Sequence, residues 1–91
     1  MKIVAVCGTG LGSSFMLEMN IKKVLKEMGI TAEVSHTDLA SVIENEADLF
    51  VMSRDLAGST NISNKVSLSN IINLTEIKEK LSEEIEKRNL K

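Results

Sequence analysis

The sequence predicts an α/β protein in which helices alternate with the strands of a parallel sheet. Two short apolar runs, Ile3–Val6 and Leu49–Met52, have the uninterrupted hydrophobicity of strands that are covered on both faces. Segments with helical spacing of apolar residues lie between the strands and after them, and this alternation is typical of parallel sheets with right-handed crossovers. The chain has 91 residues, so we expect a single domain over residues 1–91.

Four strands are predicted in order along the chain. Ile3–Val6 and Leu49–Met52 are expected at the centre of the sheet because they contain no polar side chain. Thr31–Ser35 alternates apolar and polar side chains, as a strand with one exposed face does. Val66 and Leu68 alternate with serines, which predicts a fourth strand at an edge of the sheet.

Three helices are predicted in the remaining segments. The first spans Ser13–Met28, and Gly29 provides a natural C-cap. Asp38 is suited to cap a short second helix, and the third helix spans Thr75–Asn89. The apolar residues at core spacing are Leu17, Ile21, Val24, Leu25 and Met28 in the first helix, Leu39, Val42 and Ile43 in the second, and Ile77, Leu81 and Ile85 in the third.

The composition excludes several classes of protein. The net charge of −2 and the lack of a basic stripe give no reason to expect nucleic acid as a partner. The single cysteine excludes an internal disulfide and suits a reducing compartment, so a cytoplasmic location is expected. No apolar run reaches the length of a membrane span, so we expect no insertion into the membrane. We expect neither a metal nor a cofactor.

The segment that follows the first strand is the most informative part of the chain. Cys7 ends the apolar run at the edge where open α/β sheets bind ligands, and a loop rich in glycine, serine and threonine follows. Backbone amides in such a loop bind anions, and the N-terminus of the next helix adds positive potential that also favours the thiolate. The sequence therefore predicts a phosphate site with Cys7 as the nucleophile and with Gly8, Thr9, Gly10, Leu11, Gly12, Ser13 and Ser14 as its phosphate-binding residues.

Other interpretations of this segment fit less well. An inert core cysteine would need no loop so rich in hydrogen-bond donors. Ser13 stands where a Walker A loop has lysine and where a dinucleotide fingerprint has its third glycine. A low-molecular-weight tyrosine phosphatase has arginine six residues after its cysteine, and this position too is Ser13. Because arginine would clamp the phosphate, its absence argues against efficient hydrolysis and favours a site that passes the phosphoryl group on.

Val4–Ser14, with the sequence V-A-V-C-G-T-G-L-G-S-S, resembles the active-site segment of enzyme IIB components of the bacterial phosphoenolpyruvate-dependent sugar phosphotransferase system. It looks most like the ascorbate type of the lactose/ascorbate superfamily, in which V-C-G-x-G-x-G-S-S is typical. Thr9 departs from this type, where asparagine is common. The likeness continues along nearly the whole chain, at Lys22, Ala47-Asp48, Ser53, Leu56-Ala57 and Asn64-Lys65.

This resemblance implies a single three-layer α/β/α domain with a four-stranded parallel sheet of order 2-1-3-4 and helices on both faces. It implies a phosphotransferase in which Cys7 accepts a phosphoryl group from a phosphohistidine of the IIA component. The phosphocysteine would then donate to a sugar, either ascorbate or a related sugar or polyol, bound in the membrane component IIC. A phosphatase stays the alternative, and a sensor module is disfavoured because the 91 residues include no DNA-binding segment.

Four further residues are candidates for supporting roles. On a helical wheel, Phe15 and Met19 lie opposite the core face of the first helix, where they either pack on the loop or form a docking patch for partner proteins. Arg54 opens a long loop after the third strand. It either contacts a partner or the arriving phosphoryl group, or forms a solvated charge pair with Asp55. His36 follows the predicted second strand, and a catalytic role and a surface position both stay open for it.

Overall fold

A computed structural model describes residues 1–7 and 13–89, except for the side chains of Ser13 and Ser14. Within these residues, helices alternate with four strands that form one sheet. The elements are β1 (Lys2–Cys7), α1 (Ser13–Met28), β2 (Glu33–Asp38), β3 (Leu49–Ser53), α2 (Arg54–Ala57), β4 (Lys65–Leu68) and α3 (Leu74–Lys87), and short 3₁₀ turns at Leu39–Ser41 and Glu44–Glu46 lie between β2 and β3.

The sheet is parallel and has the strand order β2-β1-β3-β4, which confirms the predicted topology. β1 is central and pairs with β2 along its whole length, from Lys2 opposite Glu33 to Cys7 opposite Asp38. β4 pairs only with β3 and is an edge strand, as its alternating pattern predicts. All four strands therefore have their carboxyl ends at the same edge of the sheet, and Cys7 lies at that edge.

The sheet separates two apolar clusters of unequal size, and both of its faces are covered. On one face, α1 and α3 pack over Ile3, Ala5 and Val34. The apolar residues that the spacing predicts are buried in both helices, except Met28, which is partly buried. On the other face, Val4 and the remaining buried residues of the second cluster are covered by α2 and by the segment of 3₁₀ turns. Helices thus lie on both faces, although the second face carries only short ones.

The termini of the long helices follow recognisable capping chemistry. Gly29 adopts a positive φ of 71° directly after α1, and the amide of Ile30 donates to the carbonyl of Leu25 at 2.9 Å, which closes a Schellman motif. Asn73 caps α3 by accepting a hydrogen bond from the amide of Glu76 at 3.1 Å. The predicted bounds of α1 agree with the structure, and those of α3 agree within two residues.

Two predicted elements are wrong in detail. β2 spans Glu33–Asp38 instead of Thr31–Ser35, because pairing with β1 continues to Cys7, and His36 therefore lies within the strand. Asp38 does act as a cap, accepting from the amide of Ser41 at 2.9 Å, but only a 3₁₀ turn follows. The chain becomes extended at Val42, and the β-branched side chains at 42 and 43 suit that conformation.

The segment after β3 also differs from the prediction. Arg54–Ala57 forms the single-turn helix α2, where a long loop is expected, and Ala57 is buried in the second cluster. Lys65 then fixes the connection to β4 by donating to the carbonyl oxygens of Ala57 and Thr60 at 2.8 and 2.7 Å. Among residues 1–7 and 13–89, no helix is long and apolar enough to cross a bilayer.

Candidate functional site

Cys7 is the last residue of β1 and lies half-buried at the carboxyl edge of the sheet. Its backbone pairs with that of Asp38 at the end of β2. The other neighbour of β1 in the sheet, β3, ends at Ser53. Six residues after Cys7, α1 begins at Ser13, and no acidic side chain lies in its first turn. Cys7 therefore ends a strand and precedes, in the sequence, a helix whose N-terminal dipole favours anions.

The predicted phosphate-binding residues lie mostly outside the described part of the chain. Gly8, Thr9, Gly10, Leu11 and Gly12 belong to the segment that the structure does not describe. Ser13 and Ser14 form the start of α1, but their side chains are not described either. The role of all seven residues therefore stays a prediction from the sequence.

A buried carboxylate lies one turn into α1. The Glu18 side chain is only 9% exposed, and one of its oxygens accepts a hydrogen bond from Lys22 Nζ at 2.8 Å. The other oxygen, Oε1, bonds with Nδ1 of His36 on β2. The pKa of Glu18 is held below its ordinary value, first because Lys22 donates to the carboxylate and also because His36 does, while burial opposes the change. Glu18 is therefore an anion at neutral pH.

His36 is held between the carboxylate of Glu18 and an aromatic side chain at the start of α1. The ring of Phe15 meets the imidazole edge-to-face, with the ring centroids 5.8 Å apart. The His36 side chain is still 47% exposed, so it is fixed in position without being enclosed. The structure thus brings two of the sequence candidates, His36 and Phe15, into contact.

Large apolar side chains are exposed on the first turns of α1. Phe15 is 53% exposed and Met19 is 55% exposed, which rules out a buried position for either residue. Met16 is also half exposed, and the sequence analysis misses it. We call Phe15, Met16 and Met19 the α1 patch; it lies on the helix that begins just after the segment following Cys7.

Arg54 is exposed at the start of α2, immediately after β3 ends at the same edge of the sheet as Cys7. It forms no salt bridge within the part of the chain that the structure describes. No salt bridge joins Arg54 to Asp55, both of which are exposed, and the role of Arg54 as a partner contact stays a prediction.

Glu18, like Met16, is not among the candidates that the sequence provides. Its spacing of four residues from Lys22 is a recognisable signal for a helical ion pair. The bond to His36 joins residues 18 positions apart on different elements, and no local pattern predicts it. Glu18 also falls at the border of the apolar face of α1, where a charged side chain is ordinarily expected to reach solvent.

The chain is similar to known proteins over almost its whole length. Residues 2–86 match the family described as PTS system, Lactose/Cellobiose specific IIB subunit. The ascorbate-specific PTS system EIIB component of Mycoplasma pneumoniae is 33% identical over 85 aligned positions, and the alignment covers 88% of this chain and 90% of that protein. The family match includes Cys7 and runs from β1 through nearly all of α3.

Proposed function

Because the chain belongs to the lactose/cellobiose-specific IIB family of the sugar phosphotransferase system, we propose that Cys7 is the residue that carries its phosphoryl group. The observation that carries this proposal is the position of Cys7, at the carboxyl end of a central strand and six residues before the N-terminus of α1. Parallel sheets bind ligands at this edge, and the helix terminus favours the negative charge of a phosphoryl group. The proposed domain comprises the whole of residues 1–91.

The proposed reaction has two transfer steps, both at the sulfur. The Cys7 thiolate attacks the phosphorus of a phosphohistidine on the IIA component, so that the P–N bond breaks as the P–S bond forms. A sugar hydroxyl bound in the membrane component IIC then attacks phosphorus, and the P–S bond breaks as the new P–O bond forms. Such transfers depend on alignment and charge stabilisation, which the amides of residues 8–14 and the hydroxyls of Thr9, Ser13 and Ser14 would supply.

The similarity to an ascorbate-specific component supports ascorbate, or a related sugar or polyol, as the final acceptor. The carrier itself would meet IIA and the cytoplasmic side of IIC in turn, which places it in the cytoplasm. Both partners must approach Cys7, so their contacts should surround the carboxyl edge of the sheet.

We propose the α1 patch as a docking surface for these partners, and Arg54 as a further contact on the other side of Cys7. Apolar side chains with flexible thioethers can pack against two different proteins in succession. Replacing Phe15 and Met19 together by alanine should slow phosphoryl transfer from IIA about tenfold or more while leaving the free energy of unfolding nearly unchanged. Ile72, which is 60% exposed in another part of the chain, provides the control Ile72→Ala, for which we expect an unchanged transfer rate. Equal transfer rates for all three proteins would contradict the docking role.

A tyrosine-phosphatase-like hydrolase is the alternative. The experiment that separates the two functions gives wild type and Cys7→Ser the same two substrates, phosphorylated IIA and an aryl phosphate. A carrier should gain one phosphoryl group from IIA in a Cys7-dependent way and hydrolyse the aryl phosphate negligibly. Cys7-dependent hydrolysis of the aryl phosphate without a stable adduct would replace the carrier by the phosphatase.

A further inference from the structure

The hydrogen-bonded pair of Glu18 and His36 is not explained by the transfer of a phosphoryl group through Cys7 alone. Among the described residues, Glu18 is the only charged or polar one that is buried, and burying a carboxylate is costly unless it is well paired. Lys22 and His36 both bond to Glu18, which lies in the N-terminal half of α1. A buried charge that is held by two partners, in the helix that follows Cys7, calls for an explanation.

The sheet places His36 and Cys7 on the same face. Ile3 and Ala5 of β1, and Val34 of β2, all point into the cluster beneath α1 and α3. Because side chains alternate along a strand, Cys7 belongs to the face of Ala5, and His36 belongs to the face of Val34. His36 meets α1 through Glu18 and Phe15, which independently confirms its orientation.

The register then fixes how far apart the two residues lie. His36 is paired with Ala5, two positions before Cys7 on the neighbouring strand. With strands about 4.8 Å apart and about 3.3 Å of rise per residue, the two Cα atoms are separated by roughly 8 Å. The side chains of cysteine and histidine can bridge that distance, and the contact with Phe15 keeps the ring beside the first turn of α1.

Glu18 also determines which nitrogen of the His36 ring carries the hydrogen. The ionised carboxylate can only accept hydrogen bonds, so Nδ1 of His36 must carry a hydrogen and donate it. The second nitrogen, Nε2, is then left as the proton acceptor of the neutral ring. A nucleophile, a histidine and a carboxylate that orients the histidine form the arrangement by which side chains activate thiols.

We propose that His36, oriented by Glu18, is a further residue of the phosphoryl site and the proton acceptor for the Cys7 thiol. In this step the S–H bond breaks, its electron pair stays on sulfur, and the proton binds Nε2 to give an imidazolium. The imidazolium then donates a hydrogen bond to an oxygen of the phosphoryl group once the P–S bond has formed. No lysine or arginine occurs between Ile3 and Ile21, so the imidazolium would supply a positive charge that no side chain of this segment provides. The inference rests on the proposed function for its phosphoryl step, but not for the activation of the thiol.

The rate of Cys7 alkylation by iodoacetamide, measured from pH 5 to pH 10, tests the inference without any partner protein. The charged or titratable groups that share this part of the face with His36 are Glu18 and Lys22 of α1, Cys7 of β1 and Asp38 of β2. In wild type we expect the alkylation rate to rise at a pH well below about 8.5, where an ordinary cysteine thiol ionises. In His36→Gln the rate at pH 7 should fall about tenfold, with the profile moved toward that of an unassisted thiol.

Two further variants make the result specific. Glu18→Gln should move the profile in the same direction by a smaller amount, because the histidine loses its orienting anion. Glu27→Gln, on the exposed side of the same helix, should leave the profile as in wild type. If His36→Gln does not fold, as judged by circular dichroism, the profile of Glu18→Gln decides the question.

The outcomes separate this inference from the proposed function. A wild-type alkylation profile in both His36→Gln and Glu18→Gln would overturn the role of His36, even if IIA phosphorylates the protein normally. A changed profile in a protein that IIA never phosphorylates would support thiol activation and overturn the carrier. A changed profile together with slower phosphorylation supports both.

Discussion

Replacing Glu18 by glutamine should lower the free energy of unfolding by about 1–2 kcal/mol at pH 7. The substitution keeps the shape of the side chain and removes its charge. Wild-type Glu18 accepts from Lys22 and from His36, and its own side chain is almost wholly buried. The exposed control Glu27→Gln should change the free energy of unfolding very little, because Glu27 forms no salt bridge among the described residues.

The magnitude follows from how exposed each partner is. Lys22 is 56% exposed, so water screens its attraction and the helical pair contributes only about 0.3–0.5 kcal/mol. The bond to His36 is more sheltered and joins two elements, and hydrogen bonds to charged groups contribute about 1.5–3 kcal/mol. Glutamine can still accept one hydrogen bond from either partner, so part of this contribution remains.

The effect must depend on pH in a defined direction. The pKa of Glu18 is lower in the folded protein than its ordinary value of 4.5, first because of the hydrogen bond from Lys22. A lowered pKa contributes stability that is complete above the ordinary value and is lost as the pH falls through the folded-state value. Urea denaturation at a series of pH values should therefore show a difference in the free energy of unfolding between wild type and Glu18→Gln at pH 7 that disappears in acid. A difference that does not change with pH, or no difference at pH 7, would refute the assigned role of the charge.

Two further substitutions probe the packing and capping of α3. Leu81→Ala should lower the free energy of unfolding by about 2–5 kcal/mol, because Leu81 is fully buried between α3 and the sheet, while Ile72→Ala on the surface should change it by less than about 0.5 kcal/mol. Equal effects in urea denaturation would contradict the assigned core. Asn73→Ala should lower the free energy of unfolding by about 1 kcal/mol, because it removes the acceptor for the amide of Glu76. Asn73→Gly should lower it by less. An unchanged melting temperature in Asn73→Ala would contradict the cap.

The parts of the fold that the sequence predicts are those with strong periodicity. The core face of α1 and the narrow stripe of α3 are visible as repeats of three and four residues, and the structure buries both. The buried strands at the centre are visible as apolar runs, and Gly29 marks the end of α1 through its positive φ. The strand order, in contrast, comes from resemblance to a family and not from the residues alone.

The errors occur where pairing between distant segments decides the conformation. Thr37 is the one strand-favouring residue among residues 36–38, yet β2 continues through all three because the backbone of β1 pairs with them as far as Cys7. Val42 and Ile43 have a spacing compatible with a helix, but the chain there is extended and Ile43 is exposed. The pairing of Glu18 with His36 is missed for the same reason, since it depends on how α1 lies across β2.

The candidate site divides in the same way. Cys7 and its placement at a strand end can be derived from the sequence, because the apolar run and the glycine-rich segment adjoin. The helical wheel places Phe15 and Met19 opposite the core face of α1 but leaves their exposure open, and the structure shows that both are about half exposed. The buried anion beside them depends on tertiary packing, and only the structure reveals it.

The central claim is that a phosphoryl group resides on the sulfur of Cys7. Wild-type protein incubated with phosphoenolpyruvate, the general phosphotransferase proteins and the cognate IIA component should be digested and mapped by mass spectrometry. The account predicts one phosphoryl group, located on the peptide that contains Cys7, lost on addition of membranes with IIC and sugar, and absent from Cys7→Ser. A phosphoryl group on His36 or on a serine of the wild-type protein, or an adduct of the same amount in Cys7→Ser, would contradict it.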